Sequence, residues 1–178
     1  MPGSFRKGME VWSTPWRRTG LLAATSLALT GTGGTGKTRL AVQVAEDLLG
    51  DFSDGVWLVE LATISDPDRI LEITAATVGL REEPGEPLLE TLVQFLCGRS
   101  TLLVLDNCEH LLDGCATFAN QLLQGCNTLK ILATSRHALG IAVIGSFALS
   151  LTRRHLVALR HPVRAAEDVL GLSRSGYY

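Results

Sequence analysis

Gly31, Thr32, Gly33, Gly34, Thr35, Gly36, Lys37 and Thr38 concentrate the chemistry of this chain, and they match G-x-x-x-x-G-K-[ST] in full. Glycines let consecutive backbone N–H groups turn inward around phosphate oxygens. A helix starting near Lys37 aims its positive dipole end at the same place, and Lys37 adds a point charge between the outer phosphates. Thr38 offers its hydroxyl to Mg2+. The cofactor-binding stretch read this way runs from Gly31 through Arg39. A glycine-rich turn with an incidental Lys-Thr is the plainer alternative, but here an apolar strand precedes the motif and a helical pattern follows it.

A phosphate loop leaves its metal half-coordinated, so a carboxylate is expected at the end of a neighbouring buried strand. Asp106, which closes "TLLVLD", meets that requirement at the sheet edge where ligands of open parallel sheets bind. An Asp that merely ends a strand is the competing reading. Hydrolysis also needs a group to orient or deprotonate the attacking water. The position after Asp106 is Asn107, not an acid; Glu109 is close enough to serve, and equally fits as an acid favoured in a helix's first turn. His110 reads as a surface residue. Arg136, at the end of "ILATSR", could read a terminal phosphate or could be a solvent-exposed arginine at a strand end. Thr134 and Ser135 are weaker candidates for the same role. The expected catalytic set is Lys37, Glu109 and Arg136, with Thr38 and Asp106 on the metal.

These residues need strands and helices in alternation to bring them together, and the pattern supplies both. Strands are expected at Ser26 to Thr30, Val56 to Leu61, Thr101 to Asp106 and Leu129 to Ser135, each lacking a hydrophilic face as strands covered on both sides do. Helices are expected at Lys37 to Leu49, Pro67 to Val78, Glu86 to Leu96 and Glu109 to Leu123, from apolar residues at three- and four-residue spacing. Asp66-Pro67 supplies a cap and a first-turn proline for the second of these. The fold class is α/β, three layers about a mainly parallel sheet. "SFALSL", Ser146 to Leu151, leaves a fifth strand open. Residues 1–20 read as an irregular leader, 21–151 as the nucleotide-binding domain and 152–178 as an atypical basic tail, with one or two helical turns open at Ala165 to Leu170.

Composition narrows the function further. The 178 residues carry a net charge of -2, which gives no general attraction to nucleic acid or to an anionic membrane. Cys97, Cys108, Cys115 and Cys126 show no C-x-x-C pair and no zinc-like His spacing, so they read as buried free thiols. Arg17-Arg18 before Leu21 to Leu29 superficially resembles an export signal, but no cleavage site follows and the same residues are needed as the first strand. No apolar run is long enough for a membrane span, and the expected location is the cytoplasm.

Together, "LTGTGGTGKTRLA", "DGVWLVELA", "LLVLDNCEHLLD" and "ILATSRHALG", in this order and spacing, resemble the nucleotide-binding domain of STAND signal-transduction ATPases, kin to NB-ARC and AAA-like domains. The likeness is to the ATPase module of large bacterial LuxR-type transcriptional regulators and covers about residues 20 to 140. It implies a P-loop NTPase fold of the additional-strand type. Gly31 to Thr38 would be the Walker A loop, Asp106 the Walker B metal ligand and Arg136 the sensor arginine. It also implies ATP and ADP as ligands, Mg2+, and self-association through P-loop domains. "MEVWSTPWRR" does not match the family's usual "FVGRE"-like segment, and nothing after Gly140 matches its later subdomains, so a truncated or frameshifted copy is expected.

Three functions follow as expectations. The first is ATP binding with slow Mg-dependent hydrolysis, as a nucleotide switch of a signalling or transcriptional regulator. A non-enzymatic or incomplete nucleotide-binding remnant is the second. The third, a small-molecule P-loop kinase, is disfavoured because "REEPGEP" lacks the arginine cluster of a phosphate-closing lid.

Overall fold

Apolar runs with no polar face can be strands only where both sides are covered. In the computed structural model, which describes residues 25–81, 85–141 and the backbone of 146–150, three of the expected strands meet that condition. The elements in chain order are β1 (Ser26–Thr30), α1 (Lys37–Asp47), β2 (Val56–Glu60), α2 (Arg69–Thr77), α3 (Leu88–Leu96), β3 (Leu102–Asp106), a 3-10 turn (Cys108–His110), α4 (Leu112–Gly125), β4 (Lys130–Ser135) and β5 (Ser146–Ser150). The leader, the basic tail and its open helical turns, and residues 82–84 of the lid-like loop lie outside the described residues.

The sheet has the order β2-β3-β4-β1-β5, and every ladder in it is parallel. β4 is thus inserted between the strand that precedes the glycine loop and the strand that ends on Asp106, as the additional-strand arrangement requires. The fifth strand left open by the sequence is present and pairs with β1 from Ser26 opposite Ser146 to Thr30 opposite Ser150. Parallel pairing sends every strand's carboxyl end to one edge. Glu60 lies opposite Asp106 and Thr30 opposite Ser135, so the loops after β1, β3 and β4 open side by side.

Side chains alternate across β3. Leu102 and Val104 join Leu29 and Leu132 under Leu40 and Ala41 of α1 and Leu48 just after it. Leu103 and Leu105 join Val59 and Ile131 under α2, α3 and α4, where Ile70, Leu92, Leu96, Phe118 and Leu122 close the larger core. Among the described residues the result is three layers, with one helix on one face and three on the other.

β2 departs from the expectation of two covered faces. It lies at the end of the described sheet, where Val56 still packs under α1 but Leu58 is 41% exposed and Glu60 is exposed. The expected helix from Glu109 to Leu123 is also divided. Asn107 takes a left-handed conformation at φ 68° and Leu111 sits at φ -131°, so Glu109 lies on the separate 3-10 turn and α4 starts only at Leu112. α2 starts two residues later than expected. Asp66 still caps its approach: Oδ1 accepts the Asp68 N–H at 3.0 Å, while Arg69 and Ile70 bond back to the Asp66 and Pro67 carbonyls in a tight first turn. The thiols divide as well, since Cys108, Cys115 and Cys126 are buried but Cys97 is exposed.

Candidate functional site

The loop between β1 and α1 is shaped by glycines in conformations that a side chain resists. Gly34 and Gly36 have φ of 73° and 71°, and Gly36 stands at the N-terminal end of α1, where its carbonyl accepts the Leu40 N–H at 2.9 Å. Thr35 is fully buried, and its hydroxyl donates to the Thr32 carbonyl at 2.8 Å, fixing the curl from inside. Lys37 is 8% exposed, and its ammonium donates to the carbonyls of Gly31 at 2.9 Å and Thr32 at 3.1 Å. The cation is folded into its own loop.

Thr38 sits one residue further into α1, and its hydroxyl donates to Asp106 Oδ1 at 2.8 Å across 68 residues of sequence. Asp106 is 7% exposed. The same oxygen accepts the Thr134 hydroxyl of β4 at 2.5 Å, and the Asn107 N–H donates to Thr134 Oγ1 at 3.0 Å. Thr134 therefore ties the carboxylate to the turn that follows it. Among the described residues Oδ2 takes no hydrogen bond, which leaves one carboxylate oxygen free in a nearly buried position.

The 3-10 turn brings Glu109 to the end of β4. Arg136 Nε donates to Glu109 Oε1 at 3.0 Å, and the other oxygen, Oε2, is buried without a hydrogen-bond partner among the described residues. The Arg136 guanidinium also lies over the loop, 3.7 Å from where a Cβ on Gly33 would stand. His110 Nε2 lies within 2.7 Å of the Ile64 carbonyl, which ties the 3-10 turn to the segment after β2. Arg39 is exposed on α1. Ser135 Oγ accepts the His137 N–H at 3.2 Å and serves the turn after β4.

The chemistry of this donor set fits a magnesium nucleotide. Among the described residues no cluster of three His, Cys, Asp or Glu side chains could hold a metal alone. One hydroxyl and one carboxylate with a free oxygen suit Mg2+, which keeps waters and takes phosphate oxygens to complete its shell. Gly34 has open space where a side chain would begin, so a ligand can approach the backbone there. Thr134 was legible only as a weaker phosphate reader; its bond to Asp106 depends on β4 being seated beside β3.

A family model described as AAA domain, AAA_22, matches residues 21–150. A protein of Mycobacterium tuberculosis named as an HTH-type transcriptional regulator, Rv0890c, is 46% identical over 123 residues, 68% of this chain. The chain spans 14% of the length of that relative. Among solved structures, the Aeropyrum pernix ORC2 protein superposes with a TM-score of 0.55 at 18% identity, over 84% of this chain and 48% of its own. A Pyrococcus horikoshii STAND protein with a tetratricopeptide repeat sensor gives a TM-score of 0.50 at 13% identity, over 91% of this chain and 30% of its own. At these identities the structural likeness concerns the fold.

Proposed function

The chain belongs to the AAA domain family AAA_22, with the P-loop ATPase fold, and from that premise we propose that it binds ATP and ADP with Mg2+ and hydrolyses ATP slowly, as the nucleotide switch of a cytoplasmic signalling or transcriptional regulator. The observation that carries this reading is the convergence of Thr38 and Asp106, whose side chains meet at 2.8 Å at the mouth of the glycine loop. Thr38 and Asp106 would hold the metal, which when bound neutralises charge on the triphosphate. The nucleotide-binding unit is taken as residues 21–151.

The roles of the remaining residues follow from their present partners. The N–H groups of Gly31 to Lys37 hold the phosphates, and Lys37 exchanges two loop carbonyls for phosphate oxygens. Arg136, poised over Gly33, contacts the terminal phosphate and so separates ATP from ADP. Glu109 orients the attacking water and takes its proton. Hydrolysis is slow because Asn107 occupies the place where an acid would directly follow Asp106, and because Glu109 is held by Arg136. Self-association through P-loop domains accompanies the ATP state. No direct nucleic-acid or membrane contact is assigned to this segment, and among the described residues no helix is long and apolar enough to cross a membrane.

Titration of the purified chain with ATP and with ADP, each with Mg2+, tests the reading beside Lys37→Ala and Asp106→Ala. Raised thermal stability with either nucleotide, lost in Lys37→Ala and stripped of its Mg2+ dependence in Asp106→Ala, together with phosphate release in the absence of any acceptor, is the expected result. Thermal stability unmoved by saturating nucleotide would refute it, because a ligand of the folded state raises stability by mass action.

A further inference from the structure

The four cysteines fall into two neighbouring pairs, one beside the Glu109 turn and one at the far ends of α3 and α4. Cys108 and Cys115 are sealed in the core at 0% exposure, away from any reagent in solution, and the Cys108 thiol donates to the Leu105 carbonyl at 3.5 Å. The second pair is built differently. Cys97 leaves the C-terminal end of α3 with extended backbone and is exposed, whereas Cys126, which follows α4, is buried.

Three bonds bring this second pair together. The Cys97 thiol donates to the Gly125 carbonyl at 3.4 Å, next to Cys126 in the chain. The Cys126 thiol donates to the Val93 carbonyl at 3.5 Å, and the Cys97 N–H donates to that same carbonyl at 2.8 Å. The two helix ends already touch, since a Cβ on Gly125 would stand 2.7 Å from Val93 Cγ1. We propose that Cys97 and Cys126 form a reversible thiol-disulfide site, oxidised by hydrogen peroxide through the exposed Cys97 and resolved by Cys126.

The chemistry balances as follows. The Cys97 sulfur attacks one peroxide oxygen and the O–O bond breaks; the departing hydroxide takes the thiol proton and leaves as water, with Cys97 a sulfenic acid. The Cys126 sulfur then attacks the Cys97 sulfur. The S–S bond forms, the S–O bond breaks, and the second hydroxide leaves as water with the Cys126 proton. The two sulfurs lose two electrons and the peroxide gains them. Burial and the neighbouring Cys97 push Cys126 up to about 11, so it waits as a thiol while Cys97 meets the oxidant. The covalent loop closed by this bond contains β3, Asp106, Glu109 and all of α4.

Peroxide treatment of the full chain, followed by thiol blocking and trypsin, tests the assignment. Cleavage after Arg81, Arg99 and Lys130 places Cys97 and Cys126 on different peptides, while Cys108 and Cys115 share a peptide with Cys126. The expected product is the 82–99 peptide joined to the 100–130 peptide, released by dithiothreitol, and the protein remains a single chain on a non-reducing gel. Cys97→Ser, a change at an exposed position, should slow thiol loss at least about tenfold. Cys126→Ser should leave Cys97 as a dimedone-reactive sulfenic acid. A bond confined to the 100–130 peptide, a disulfide between chains, or oxidation of Cys97 that never captures Cys126 would overturn the proposal, and the first two can be read on the wild-type chain alone.

Discussion

Arg136 and Glu109, 27 residues apart, meet with Nε and Oε1 at 3.0 Å, where the Arg136 guanidinium lies over Gly33 of the glycine loop. Arg136 is 59% exposed and Glu109 16%, so the pair contributes little to stability but decides where both groups point. In this arrangement the two proposed catalytic groups occupy each other. Under the proposed function, a terminal phosphate that draws Arg136 away would release Glu109, and a ligand without that phosphate would leave the pair in place.

Arg136→Ala should therefore weaken ATP binding by about tenfold or more while changing ADP binding by less than about threefold, because only ATP presents the charge that the guanidinium meets. Fluorescent-nucleotide competition measures both. Equal losses for ATP and ADP would remove Arg136 from the terminal phosphate.

Lys37 has a separate signature. At nucleotide concentrations near 100 times the dissociation constant the wild-type chain should gain about 2.7 kcal/mol. Lys37→Ala should gain nothing measurable at the same concentration, and Asp106→Asn should retain a gain that no longer differs between Mg2+ and EDTA. Thermal unfolding followed by circular dichroism reads all three.

Thr134 connects two groups that are costly to leave unpaired. Thr134→Val keeps the shape but removes a hydroxyl from Asp106 Oδ1 and an acceptor from the Asn107 N–H. Urea unfolding should show a loss of about 1–3 kcal/mol, with Thr134→Ser recovering most of it.

Two glycines give a contrast in sign. Gly114 lies in α4, where a Cβ would stand 2.7 Å from Pro67 Cβ. Gly114→Ala gains about 0.5–1 kcal/mol of helix preference but loses about 1–3 kcal/mol to overpacking against a rigid ring, so it should destabilise. Gly50 has open space in the same position, and Gly50→Ala should be neutral or slightly stabilising. Chemical denaturation of the two variants side by side checks the ordering.

Acid sensitivity has a local source at Asp54. The Ser100 N–H at 2.9 Å and then the Ser53 hydroxyl at 3.0 Å hold its carboxyl below the ordinary value of 3.8. A depressed folded-state pKa contributes stability above the unfolded value and loses it as pH falls through the folded one. The Asp54 carboxyl carbon should titrate below 3.8 by NMR, and Asp54→Asn should flatten the stability profile in that acid range.

The glycine loop and Asp106 were legible because their chemistry is written in contiguous spacing and at the end of an apolar run. The bond from Thr134 to Asp106 and the pairing of Glu109 with Arg136 are not legible in the sequence, because both depend on β4 lying beside β3. The break before α4 escaped the apolar pattern because it rests on the backbone of Asn107 and Leu111, while the apolar positions continue through it. β2 reads as apolar in sequence, but its edge position leaves Leu58 uncovered. The grouping of Cys97 with Cys126 depends on where α3 and α4 end.

The order of the sheet also bears on synthesis. β1 and β3 leave the ribosome early and carry the loop and Asp106, yet neither pairs with the other; β4, made later, lies between them. A nascent chain that stops at Asp106 holds Lys37, Thr38 and the carboxylate but lacks the strand that spaces them. The proposed nucleotide site can therefore be complete only after β4, through Ser135, has taken its place between them.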